Sequence, residues 1–298
     1  MQTPRAGGKR DWVKPLVGAF VCFLLFRLAF ILLEPFVEFF GGRMMGLTLG
    51  SLLSAAISGA LAMAIFESRK LTDLGLAFHA GSRNNLLKGV VMGVGAALAI
   101  VLLPVALGLA HFQTVPNADI SWRAALFMPV LLFCGAMGEE IAFRGFVLQY
   151  LMRGWTPWIA IVSTGVLFGW LHNDNPSATL LSDCNTALFG ILFGVALLRS
   201  HDLWLPIGLH FGWNCALPFL GVEVSGLTIR IAGYELVWKS GKLWSGGMYG
   251  PEASVLTSAV LLILFLVVWK LPVRKGRAWL LDAVHSKTPL EPAEPPAL

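Results

Sequence analysis

Long apolar stretches broken by short polar ones recur along the chain, and their lengths suit membrane-crossing helices. A crossing needs about 20 mostly apolar residues, because the hydrocarbon core is about 30 Å thick and a helix rises about 1.5 Å per residue. Eight stretches reach or approach that length: residues 16–33, 44–66, 89–110, 124–152, 157–171, 180–198, 203–220 and 253–269. The fourth is too long for a straight crossing and is expected to tilt, kink or project. The fifth and seventh are short and carry polar residues. Residues 221–251 alternate apolar and polar positions between glycines. That pattern suits a small hairpin or an amphipathic segment at the interface, acting as a cover rather than a grip on substrate.

Composition agrees with this reading. Of 298 residues, 56% are hydrophobic and 13% charged, with mean hydropathy +0.73. Soluble domains carry about 25% charged residues, so the chain falls in the membrane class. Charge then orients it. Arg5, Lys9, Arg10 and Lys14 precede the first stretch, and Arg69, Lys70, Arg83 and Lys88 follow the second. Arg153 follows the fourth, Arg199 the sixth, and Lys270, Arg274, Lys275 and Arg277 the eighth. The alternate connections are poorer, with Arg43 in the first, Arg123 in the third and none in 173–179. Eight crossings put every rich segment on one side, which the positive-inside rule makes cytoplasmic. The expectation is an integral multi-pass protein of the cell (inner) membrane with both termini cytoplasmic.

These flanks account for the net charge of +5, so no nucleic-acid partner is implied. No removable signal peptide is expected, since the first apolar run is too long and lacks a small-residue cleavage pattern. Cys22, Cys134, Cys184 and Cys215 match neither a zinc knuckle nor a disulfide framework and read as small core residues. The proline-rich tail SKTPLEPAEPPAL is expected to be disordered.

Against this apolar background, CGAMGEEIAFRG (134–145) stands out. Ionisable groups inside a membrane are expensive and face a bundle interior or a wet cavity. Glu140 and Arg144 are four apart, in the favourable order for an ion pair. Glu139 points about 100° away around the helix. Phe168 and His172 end the fifth stretch, and His210 and Asn214 lie four apart in the seventh. Counting from the turn near Gly154, Glu139 and His172 lie at similar heights, each roughly 22–25 Å up at helical rise. His210 and Asn214 count as a turn or two lower. All four side chains are expected to line one intramembrane cavity.

No serine or cysteine is paired with a base, so a covalent nucleophile is not indicated. A carboxylate beside an imidazole can instead activate water as general base, and His210 with Asn214 can donate to a developing oxyanion. The reaction class this suggests is acyl hydrolysis, of a peptide bond above all.

The succession Glu-Glu-x-x-x-Arg, Phe-x-x-x-His and His-x-x-x-Asn resembles the CAAX-processing and bacteriocin-processing family, often called CPBP or Abi, which includes the Ras-converting CAAX prenyl endopeptidase. The resemblance covers about 124–220; MYGPEASVL before the last stretch also resembles bacterial members, less specifically. It implies that Glu139 and His172 activate water and that His210 and Asn214 form the oxyanion site. Glu140 and Arg144, with Phe168, support the site. The family is commonly labelled metalloprotease, yet its glutamate-based mechanism is thought not to require zinc. Here no cofactor is favoured, since no His-Glu-x-x-His pair is present; if zinc binds, Glu139, His172 and His210 would hold it.

The expected fold is all-α, about eight transmembrane helices around a polar catalytic cavity. N-terminal helices occupy 1–123, the catalytic core 124–220, and the external segment, last helix and tail 221–298. The expected partners are the lipid bilayer and a membrane-associated protein or peptide substrate, whose prenylation the residues do not address; nor do they address oligomeric state. Two alternatives differ in class: a non-catalytic immunity or regulatory member of the family, and a proton-coupled transporter, since buried Glu/His sets also serve proton relays.

Overall fold

The computed structural model describes residues 12–285 other than 117 and 119. The expected tail, 286–298, and Arg5, Lys9 and Arg10 lie outside the described residues. The fold is a helical bundle: α1 (Val13–Gly41), α2 (Arg43–Glu67), α3 (Ala80–Ala106), strand β1 (Ala110–Thr114) and α4 (Trp122–Glu140). A π-helical segment, Ile141–Val147, joins α4 to the short α5 (Leu148–Leu151). Then come α6 (Pro157–Trp170), α7 (Leu180–Ser200), α8 (Trp204–Phe219), β2 (Tyr234–Trp238), α9 (Lys242–Ser245), α10 (Val255–Lys270) and α11 (Trp279–His285).

Among the described residues, five helical units are long and apolar enough to cross a membrane: α1, α2, α3, the composite Trp122–Leu151, and α7. At 14 residues for α6 and 16 each for α8 and α10, the other three reach only about 21–24 Å. The protein is an integral membrane protein. Helix starts follow local chemistry: the side chains of Ser121, Thr156, Thr179 and Ser254 accept the N–H groups of Ala124, Ile159, Ser182 and Thr257, replacing partners that a helix N-terminus lacks.

Connections alternate between two faces. On one, the Leu203 N–H donates to Gly75 O at 3.0 Å and the Gly276 N–H to Ser200 O at 2.7 Å. The Asn85 amide donates to Asp202 (2.7 Å) and to Arg274 O (2.8 Å). The basic residues gather there: Arg153 pairs with Glu67, Arg199 donates to Leu271 O, and Arg69 lies 4.7 Å over the Trp279 ring. On the opposite face, β1 pairs antiparallel with β2, Ala110 opposite Trp238.

That pairing departs from a hairpin closed within 221–251, one of the two forms expected for that segment. Ala110, read from the sequence as the end of the third crossing, instead begins β1, which presents a strand edge to β2. The cover is therefore tied to α3 rather than folded on itself. The four cysteines are free.

The crossing of α3 and α8 places the site. A Cβ on Gly89 or Gly93 of α3 would lie 2.4 or 2.3 Å from α8 backbone oxygens, and one on Gly208 or Gly212 of α8 2.3 or 2.5 Å from α3 backbone oxygens. Only hydrogen fits there, so the two backbones touch. Residues two apart on a helix point about 200° apart. Burying Gly208 and Gly212 against α3 thus turns His210 and Asn214 the other way, into the bundle.

Candidate active site

Gly138 applies the same logic to α4. A Cβ there would sit 2.6 Å from Leu52 N of α2, so this face is pressed on α2. Glu140, about 200° further round, points to the interior, and Glu139 lies between the two directions. The consequence is measurable: the Glu140 side chain is 0% exposed, whereas Glu139 keeps 32%.

Glu140 is the hub of a buried network that runs through one of its carboxylate oxygens. Its Oε1 accepts from Arg144 Nη1 at 3.3 Å and from His210 Nδ1 at 3.0 Å. Arg144 Nη2 donates to Gly190 O at 2.9 Å, and its guanidinium lies 4.4 Å over the Phe168 ring. The Phe193 ring stacks on His210, 4.9 Å between centroids and 16° between planes.

The chain reaches this geometry through a break. Gly145 has ψ −119°, outside helical values, within the π segment. The Gln149 amide donates to Arg144 O and to Leu74 O, both at 3.0 Å. It thereby supplies a donor to a carbonyl at the kink and ties it to the loop after α2.

Glu139 stands apart. Its Oε2 lies 3.9 Å from His172 Nε2 and 3.9 Å from His210 Nε2, and it is buried without a hydrogen-bond partner among the described residues. His172 Nδ1 is 2.7 Å from Phe168 O; a carbonyl only accepts, so Nδ1 carries the proton and neutral His172 presents a bare Nε2 toward Glu139. Glu139, His172, His210 and Asn214 all line one cavity of about 270 Å³.

The sequence count put His210 a turn or two below Glu139; the structure brings them level. The connection explains it: His201, Asp202 and Leu203 are buried, drawn in beneath Gly75 and Gly276. Helix α8 therefore starts deep.

Sequence reasoning also passed over Glu252, inside MYGPEASVL. It is buried just before α10, accepts from Trp213 Nε1 at 2.8 Å and from the Ser225 N–H, and so clamps the cover to α8. Ser225 and Glu252 share a small pocket with His172, His210 and Asn214. Burial raises the Glu252 carboxyl above its ordinary range, with its Trp213 and Ser225 donors drawing it partly back. A lone glutamate directly ahead of the last apolar stretch was the available signal.

Among the described residues no three His, Cys, Asp or Glu side chains form a group that could hold a metal ion. The 3.9 Å separations around Glu139 exceed the roughly 3.3 Å ligand spacing of a tetrahedron with about 2 Å bonds. The three donors thus stand wider apart than a bound zinc would hold them.

Residues 120–216 match the family described as Type II CAAX prenyl endopeptidase Rce1-like, in accord with the motif resemblance. The chain is also 30% identical over 144 residues to a protein of Escherichia coli named "Uncharacterized 24.3 kDa protein". That similarity spans 47% of this chain and 62% of the relative.

Proposed function

We propose that this chain, whose residues 120–216 match a family of CAAX prenyl endopeptidases, is an intramembrane endopeptidase that hydrolyses a peptide bond of a membrane-associated protein or peptide. The observation that carries the reading is Glu139 Oε2, 3.9 Å from the Nε2 atoms of two histidines on the cavity wall. That gap is too long for direct hydrogen bonds and wide enough for one water to bridge.

In the reaction, Glu139, with the bare Nε2 of His172 beside it, accepts a proton from water as the water oxygen attacks the scissile carbonyl carbon. His210 and Asn214 donate to the oxyanion. The C–N bond then breaks, and the departing amine takes the proton back from Glu139. Because Nδ1 of His210 faces Glu140, His210 donates from Nε2 only when both nitrogens are protonated. Glu140 and Glu139 flank the imidazolium as counter-charges, so Glu140 supports catalysis through His210.

In this reading no step uses a metal, and the protein lies in the cell membrane with both termini inside, an orientation that the distribution of basic residues along the chain supports. The test is substrate trapping. Membrane proteins captured by Glu139→Ala are compared with those captured by wild type and identified by mass spectrometry. Purified wild type is expected to cleave the captured segment even after prolonged phenanthroline treatment. Failure to cleave it would favour the non-catalytic reading; stoichiometric zinc lost together with activity would sink the metal-free mechanism.

A further inference from the structure

One charged side chain on the cavity wall takes no part in that reaction. Arg27 interrupts the run FLLFRLAFILL and is the single cation between Lys14 and Arg43. An arginine within a membrane-crossing helix is costly and ordinarily faces water or pairs with an anion. Arg27 is exposed and lines the same cavity as Glu139, yet among the described residues it makes no ion pair or hydrogen bond.

The contrast with Arg144, held by a carboxylate, a carbonyl and an aromatic face, is complete. Glu34 and Glu38, about two and three turns further along α1, engage each other, with Arg43 beside Glu34. Among the described residues Arg27 is also the only lysine or arginine on the cavity wall. Around it, Phe26, Phe30, Met44 and Leu47 give that wall an apolar character.

We propose that Arg27 forms an anion subsite that takes a carboxylate of the bound peptide, with apolar flanking residues lying on Phe26, Phe30 and Met44. This rests on the endopeptidase reading. The cavity then carries opposite charges, the Glu139 carboxylate and the Arg27 guanidinium. A peptide bearing a carboxylate is repelled from the first and held by the second, which sets its direction across the scissile position. A terminal carboxylate and an Asp or Glu side chain share this chemistry.

The test measures binding to the non-cleaving Glu139→Gln protein in nanodiscs of phosphatidylcholine, with and without phosphatidylglycerol. The probe is a fluorescent apolar heptapeptide made as free C-terminal acid, as C-terminal amide, and as amide with one Asp. The acid, or the Asp form, is expected to bind about tenfold more tightly than the plain amide; which one does so identifies the carboxylate's source. Adding Arg27→Gln should erase that preference and leave plain-amide binding and the melting temperature unchanged.

Equal binding of all three forms, or a preference that survives Arg27→Gln, would overturn the subsite. So would a preference that vanishes with phosphatidylglycerol, which would make a lipid phosphate the occupant. An intact preference in a protein whose wild type hydrolyses nothing would instead sink the endopeptidase reading and leave the subsite standing.

Discussion

Glu139 and Glu140 are chain neighbours that carry the same group to opposite ends: Glu139 lines the cavity, whereas Glu140 is sealed inside the bundle beside it. The Glu140 side is closed: one carboxylate oxygen serves Arg144 and His210, and the side chain has no exposed surface. The Glu139 wall is open, with 32% of that side chain exposed and 3.9 Å gaps to both imidazoles. Removing a charge from a closed network strands its partners, whereas removing one from an open wall strands nothing. Stability and turnover should therefore separate cleanly between two adjacent residues.

Glu139→Gln is the sharpest break. Turnover of a captured peptide is expected to fall by about 10²–10⁴-fold, the usual weight of a general base, with melting unchanged. A variant that turns over at the wild-type rate would end the assignment. Arg144→Ala attacks the closed side and should cost about 3–5 kcal/mol, because Glu140 is left buried and uncompensated. Glu140→Gln combined with Arg144→Met should recover part of that loss; purely additive losses in detergent melts would argue against a direct pair.

Asn214→Ala should slow turnover by about 10²–10³-fold while scarcely changing peptide binding, and a rise in KM at constant kcat would count against an oxyanion role. The smallest effect concerns Glu252. Its folded-state carboxyl is raised by burial. Its stabilising contribution is therefore full below the unfolded value of about 4.3 and is lost as pH rises through the raised value. Wild-type melting should decline more than that of Glu252→Gln as pH rises above about 4, and parallel profiles would contradict this.

Much of this was legible in the chain because membrane solvent makes polar residues conspicuous. Glu139, Glu140, Arg144, His172 and His210 each interrupt an apolar run, and helical spacing alone pairs Glu140 with Arg144. What spacing could not reveal was contact between helices. The bond from His210 to Glu140 depends on Gly208 and Gly212 turning α8, and on the α7–α8 connection being drawn inward to set its depth. Nor does the order of residues announce that β2 reaches β1, more than a hundred positions earlier. Arg27 was visible as a charge in the first apolar run, but its relation to Glu139 needs the fold.

The π segment at Ile141–Val147 makes the length of the chain part of the chemistry. A π turn amounts to an α-helix carrying one surplus residue. Deleting Ala142 would let the ladder close as an ordinary helix, with composition, hydropathy and the number of crossings intact. Yet Arg144 would then follow Glu140 by three positions instead of four, which rotates its side chain about the helix axis relative to Gly190 and the Phe168 ring. A single in-frame codon loss here would thus act as a rotation, silencing the centre while every residue that builds it is still encoded.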